Sequence, residues 1–124
     1  MPSAAKNDVP VAVDVGGYEG RSAEWGDFTV TFETAEPGEP RELFKGLPDD
    51  KCQCPHWGYL LKGKITIDYG DREETITAGQ AYYLPPGHVP RIDEPTESVE
   101  FSPTAELRKT MEHVQAKMAA MGDA

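Results

Sequence analysis

Four side chains between positions 52 and 88 carry the lone pairs that transition metals prefer: Cys52, Cys54, His56 and His88. Thiolate and imidazole together suit zinc, copper or iron better than magnesium or calcium. On an extended chain, residues two apart share a face, so Cys52, Cys54 and His56 would point the same way. Residues four apart on a strand lie about 13 Å from each other at Cα, whereas zinc sits about 2.0–2.3 Å from its ligands. Cys52 and His56 therefore reach one ion only if the chain bends, and Pro55 permits a bend. The minimal expected set is Cys54, His56 and His88, with Cys52 as a fourth. Three ligands leave a position open for water or substrate, and four close the site into a structural one. Zinc is the first expectation, with iron or copper as alternatives. Haem ligation by His or Cys is chemically allowed, although the sequence has no CxxCH attachment motif.

Other residues have suitable chemistry in weaker contexts. Glu100 is a candidate general base or extra ligand. Tyr59 and Tyr83 flank the Cys/His segments and are candidates for a catalytic pocket wall. Lys62 and Arg91 are candidates to receive a substrate carboxylate, and His113 is expected on a helix surface. Each has a plainer reading as a packed or solvent-facing side chain. Cysteines separated by one residue rarely pair, because their Cβ vectors must converge; free thiols or ligands are expected. The sequence holds no Ser-His-Asp set, phosphate-binding glycine loop or dinucleotide fingerprint.

These residues need a scaffold, and the pattern around them is one of short strands. Val9 to Val15 alternates weakly, and Gly16, Gly17 and Gly20 mark a turn. Phe28, Val30 and Phe32 alternate with polar residues, which predicts a strand with those three on its buried face. The segment from Ala35 to Pro40 breaks it. Leu43, Phe44 and Leu47 are expected to plug one end of a core. Trp57 to Ile67 is the strongest strand signal, with a turn or bulge at Gly63. Turns at 69–71 and 78–79 separate strands over 74–77 and 81–84, the last ending at Pro85-Pro86-Gly87. A final strand is expected over Ser98–Phe101. Leu107, Met111, Val114, Met118 and Met121 then recur at helical spacing, with Ser102 or Thr104 as N-cap and Gly122 as the stop.

The glycine and proline punctuation resembles the cupins, the RmlC-like superfamily. Gly63 within LLKGKI resembles the glycine of their first motif. Gly79, then QAYYL, then Pro85-Pro86-Gly87, resembles the second. The resemblance covers roughly residues 25–103. It implies an all-β, double-stranded β-helix (jelly-roll) barrel, here with one C-terminal α-helix. It implies an N-terminal arm over 1–24, partly a peripheral strand, the barrel over 25–103 and the helix over 104–122. Where the family has a glutamate, this chain has His56. Where it has a histidine pair, this chain has Cys52 and Asp50. Where its second motif has a histidine, this chain has Pro90, with His88 two residues earlier. The family's ligand set does not transfer residue by residue; its location does.

Composition bounds the function. The chain has 124 residues, 38% of them hydrophobic, enough for one modest core. Its net charge of −10 with scattered basic residues argues against nucleic acid as a partner. Mean hydropathy is −0.57 and no run is long enough to span a membrane. Residues 1–25 lack the apolar block of a signal peptide, so a cytoplasmic location is expected. A homodimer is expected from uncovered barrel edges, the Met-rich helix and resemblance to dimeric cupins. The resulting expectation is a metal-binding protein for a small-molecule ligand, in its fullest form a small metalloenzyme of oxygenase or isomerase type acting on a small polar molecule. The alternatives are a non-catalytic binding or sensing barrel with a dry apolar pocket, and a thiol redox module with depressed cysteine pKa values.

Overall fold

The computed structural model describes residues 3–122. Among these residues, seven strands and one α-helix follow each other in chain order: β1 (Val11–Val15), β2 (Tyr18–Trp25), β3 (Phe28–Ala35), β4 (His56–Asp68), β5 (Glu73–Thr77), β6 (Ala81–Leu84), β7 (Val89–Pro103) and α1 (Thr104–Gly122). Short 3-10 turns lie at Lys6–Asp8, Arg41–Phe44 and Pro48–Asp50. The first of these turns, and β1 after it, lie in the stretch expected as an N-terminal arm, whose first two residues fall outside the described ones. All strand pairings are antiparallel, in the order β1-β2-β3-β7-β4-β5, with β6 added to β4.

The long strands β4 and β7 form the spine. The first part of β4 pairs with β6 and its last part with β5. Their ladder with β7 slips in register between Leu60 and Ile65. Gly63 sits inside this slip at φ 90°. A Cβ there would collide with the Pro95 carbonyl, so only glycine lets the two backbones close up. Gly63 therefore marks a bulge within one 13-residue strand and does not separate two strands. The last strand is far longer than Ser98–Phe101. The segment YEGRSAEW, which carries no clear alternation, forms β2 and pairs with β3 along its whole length.

One expectation is inverted. On β3, Thr29 and Thr31 are buried while Phe28 is 39% exposed. Register places Thr29 opposite Ser102 and Thr31 opposite Glu100. Those residues line the barrel interior, so Phe28, Val30 and Phe32 alternate onto the outer face; of the three only Val30 is buried there, as expected, at 2% exposed.

The apolar core divides in two. Leu60, Ile65, Ile67, Ile76 and Leu84 pack one end of the barrel. Phe44, Cys52, Cys54, Val89 and Val114 form the second cluster, with Leu43, Leu47, Leu107 and Met118 against it. The helical stripe and the 41–50 segment thus cap one end of the barrel together, as the plug reading of Leu43, Phe44 and Leu47 expected. His113 assists: its Nε2 donates to the Lys45 carbonyl at 2.7 Å. Neither proposed cap residue is free to cap. The Thr104 hydroxyl bonds Thr29 at 2.8 Å, and the Ser102 hydroxyl meets His56. Among the described residues no helix is long and apolar enough to cross a membrane.

Candidate metal centre

The chain does bend before β4. Residues 52–55 are not strand; Cys52 instead forms an isolated antiparallel bridge with His88. Its amide donates to the His88 carbonyl at 2.9 Å, and the Gly87 and His88 amides donate back to the Cys52 carbonyl. Directly opposed residues hold their side chains close. His56 opens β4 opposite Leu84 on one side and next to Ser102 on the other. The result is a compact triad: one ligand atom each from Cys52, His56 and His88, all within 4.8 Å of one another. Cys52 Sγ lies 3.8 Å from His56 Nε2. The two imidazoles meet edge to face at 5.2 Å between centroids.

Cys54 is placed differently. It is fully buried in the apolar cluster under α1, with its Sγ 3.4 Å from the Pro55 carbonyl. The structure thus groups Cys52 with the histidines, whereas the expected minimal set held Cys54 and kept Cys52 as the addition.

The hydrogen bonds around the histidines decide which nitrogen is bare. His88 Nδ1 lies 2.7 Å from the Pro85 carbonyl. A carbonyl can only accept, so Nδ1 carries the proton and Nε2 presents its lone pair. His56 Nδ1 lies 2.7 Å from Ser102 Oγ and 3.6 Å from the Glu100 carboxylate. The Ser102 hydroxyl can donate or accept, so it engages Nδ1 in either tautomer; Nε2 is turned to Cys52. A partner on the far nitrogen is how metal-ligating histidines are oriented. Burial lowers both histidine pKa values, that of His88 to about 4. Both rings are therefore neutral at pH 7. Burial acts oppositely on the thiols, pushing Cys52 up to about 11 and Cys54 up to about 12.

Behind His56 the interior is polar. The Tyr82 hydroxyl donates to Glu100 at 2.8 Å, and the Tyr18 hydroxyl donates to Glu33 at 2.8 Å. Burial, and then the adjacent Glu100, hold the Glu33 carboxyl well above the usual range. A mid-strand glycine clears the path of each tyrosine. A Cβ on Gly58 would stand 2.5 Å from the Tyr82 ring and hydroxyl, and one on Gly20 would stand 3.0 Å from the Tyr18 hydroxyl. Glu33, Tyr18, Tyr82 and Ser102 were not singled out from the sequence. The legible trace was Gly20 and Gly58, since a glycine inside a strand marks close approach.

Of the weaker candidates, Glu100 lies beside His56. Tyr59 and Tyr83 point outward, 44% and 51% exposed, away from the triad. Lys62 pairs with Glu97 at the surface, and Arg91 with Asp93 and Glu73.

No protein-family model and no curated protein matches the sequence. Solved structures do match in shape. An RmlC-like cupin from Shewanella frigidimarina is 12% identical with a TM-score of 0.60, over 81% of this chain and 88% of that one. A protein of unknown function from Rhizobium leguminosarum is 15% identical with a TM-score of 0.60, over 82% and 95% of the two chains. A variant of Bacillus subtilis oxalate decarboxylase is 16% identical with a TM-score of 0.56, over 81% of this chain but 28% of that longer one. This chain has the cupin fold: a single antiparallel jelly-roll barrel with a C-terminal helix.

Proposed function

We propose that the protein binds one transition-metal ion through Cys52, His56 and His88, and uses it on a small polar molecule. The carrying observation is the convergence of one ligand atom each from Cys52, His56 and His88 within 4.8 Å, with both Nδ1 atoms engaged by Ser102 and Pro85. The donor set fits zinc first, then iron or copper. When bound, such an ion supplies Lewis acidity to an oxygen-bearing substrate. Three protein ligands leave room for that substrate, which supports an enzyme of oxygenase or isomerase type over a closed structural site. Oxalate decarboxylase, whose barrel shares this fold, is an enzyme of a small polar molecule.

The chain's own residues have separable tasks. Pro85 and Ser102 orient the two imidazoles. Glu100, held by Tyr82, is the carboxylate within reach of the site and the candidate general base. Burial and the adjacent Glu100 push Glu33 beside it toward its protonated form. Phe44, Leu47 and Val114 keep water from the thiol side. Two other readings fare less well. A redox module needs a depressed thiol pKa, and burial raises both. A dry binding barrel needs an apolar lining, whereas Thr29, Thr31, Ser98, Ser102 and His88 are buried polar groups.

Elemental analysis of protein purified from a metal-replete preparation tests the reading. About one ion per chain is expected. His56→Ala and His88→Ala each lose most of it, and Cys54→Ala retains it. Metal-free wild-type protein would remove the proposal.

A further inference from the structure

The capping segment and α1 leave a gap between them. A cleft of about 280 Å³ runs there, lined by Leu47, Pro48, Gln53, Glu106, Lys109 and Thr110. Thr110 is the buried residue of this lining. Burial raises the Cys52 thiol pKa, and the Thr110 hydroxyl beside that sulfur acts the other way. One side chain thus stands between the cleft and a ligand atom of the metal centre. Cys52 and His88 are otherwise enclosed, and Phe44, Val89 and Val114 pack with Cys52.

The walls of the cleft differ in chemistry. Leu47 and Pro48 are apolar. Gln53 donates its Nε2 to the Pro48 and Lys51 carbonyls at 2.9 and 3.3 Å, which leaves its Oε1 as an acceptor. Glu106 and Lys109 are exposed and one turn apart on α1. The adjacent Arg108 is taken by Glu24. Among the described residues, Glu106 and Lys109 form no ion pair.

We propose that this cleft is the route by which small molecules reach the Cys52 side of the metal centre, and that it takes a zwitterion with one carboxylate and one ammonium group, of the amino-acid class. The inference rests on the proposed metal centre for what such a molecule meets beyond Thr110. Size supports it. Sites for drug-sized ligands span roughly 300–1,000 Å³, so this cleft suits a molecule of fewer atoms. Charge supports it too. Lys109 offers an ammonium to the ligand carboxylate, and Glu106 and Gln53 Oε1 offer oxygens to the ligand ammonium. A simple anion is repelled by a chain of net charge −10, and a simple cation is drawn to its whole surface. A zwitterion has no net charge, so the local groups alone select it. Lys62 and Arg91, expected to receive a substrate carboxylate, are paired at the surface; Lys109 takes that role.

Alkylation of Cys52 in the full chain, cleared of metal with a chelator, reads the route without the ion. The thiolate attacks the iodine-bearing carbon, a C–S bond forms, iodide leaves and the thiol proton passes to solvent. Fragmentation mass spectrometry separates Cys52 from Cys54. Iodoacetate is an anion and iodoacetamide its neutral counterpart. Their rate ratio cancels the thiolate fraction and reports charge along the path. At low salt Lys109→Gln should lower the iodoacetate-to-iodoacetamide ratio about threefold, and Glu106→Gln should raise it about threefold. Lys62→Gln, an equal change of charge on β4, should leave it unchanged. Free alanine at about 30 mM should slow the neutral reagent about threefold, and more than propionate or ethylamine, which carry one charge each. A ratio indifferent to both cleft charges, or protection by alanine no greater than by propionate, overturns the proposal. Elemental analysis reports on the metal centre independently, so failure of one reading is told from failure of the other.

Discussion

Residues 56 and 57 are neighbours on one strand and belong to different chemistries. His56 points inward to Ser102, Glu100 and the Cys52 thiol; Trp57 points outward to Tyr83 and Phe28. The division extends across the sheet. The inner face near the site carries Thr29, Thr31, Glu33, Ser98, Glu100 and Ser102, and the outer face carries exposed aromatic side chains. Strand alternation makes this inexpensive, since one backbone serves two surfaces. The inner surface is held by hydrogen bonds and tight approaches, the outer one by shape and apolar area alone. The two should therefore respond differently to the same kind of change.

The largest contrast is expected at glycine. Gly63→Ala forces a Cβ onto the Pro95 carbonyl at positive φ, and the bulge should lose about 3 kcal/mol or more. Gly79→Ala, also at φ 90° but with nothing nearer than 4.0 Å, should cost about 1 kcal/mol. Denaturant unfolding of both separates backbone collision from conformation. Equal losses would mean that β4 and β7 do not approach as described.

Second is pH. The folded pKa of His88, about 4, lies below its ordinary 6.5. Its neutral form therefore contributes stability fully above about pH 6.5, and that contribution is lost as pH falls through about 4. The metal-free protein should lose up to about 3 kcal/mol across that window, with His56 acting in the same direction. His88→Gln should flatten the profile. Glu33 has the opposite sign: its raised pKa gives stability that is full below 4.5 and is lost as pH rises through the folded value.

Third, Glu33→Gln should change stability at pH 7 by less than about 1 kcal/mol. A glutamine can accept from Tyr18 and donate to Glu100, as a protonated glutamate does. A loss beyond about 2 kcal/mol would mean that Glu33 is ionised. The smallest effect belongs to the outer face. Tyr83→Ser should shift the unfolding midpoint of a dilute sample by less than about 1 kcal/mol, because half of that ring is already in water.

Much of this fold was legible because its turns are marked by glycine and proline and its helix by a clean period. The strand 81–84 and the helix 104–122 lie where those signals put them. The misassigned face of β3 has a plain physical reason. The inference from alternation assumes that apolar side chains face inward. Here the interior of the barrel is polar, so Phe28 and Phe32 were assigned to the wrong side. β2 escaped notice because Glu19, Arg21 and Glu24 interrupt any alternation. At the site, the histidines were readable as residue types. The choice between Cys52 and Cys54 was not, since it depends on how the chain turns before β4 and on the bridge from Cys52 to His88. The Glu33 and Glu100 pairing is a product of β3–β7 register, which no local pattern encodes.

The central claim is that Cys52, and not its neighbour, joins His56 and His88 at the ion. Cobalt(II) substitution tests it directly, because thiolate ligation gives cobalt an intense charge-transfer absorption. The wild type should take up about one cobalt per chain and release about one proton from the Cys52 thiol at neutral pH. The band should persist in Cys54→Ser and vanish in Cys52→Ser. A band that survives Cys52→Ser, or a wild type that takes up no cobalt, would contradict the account.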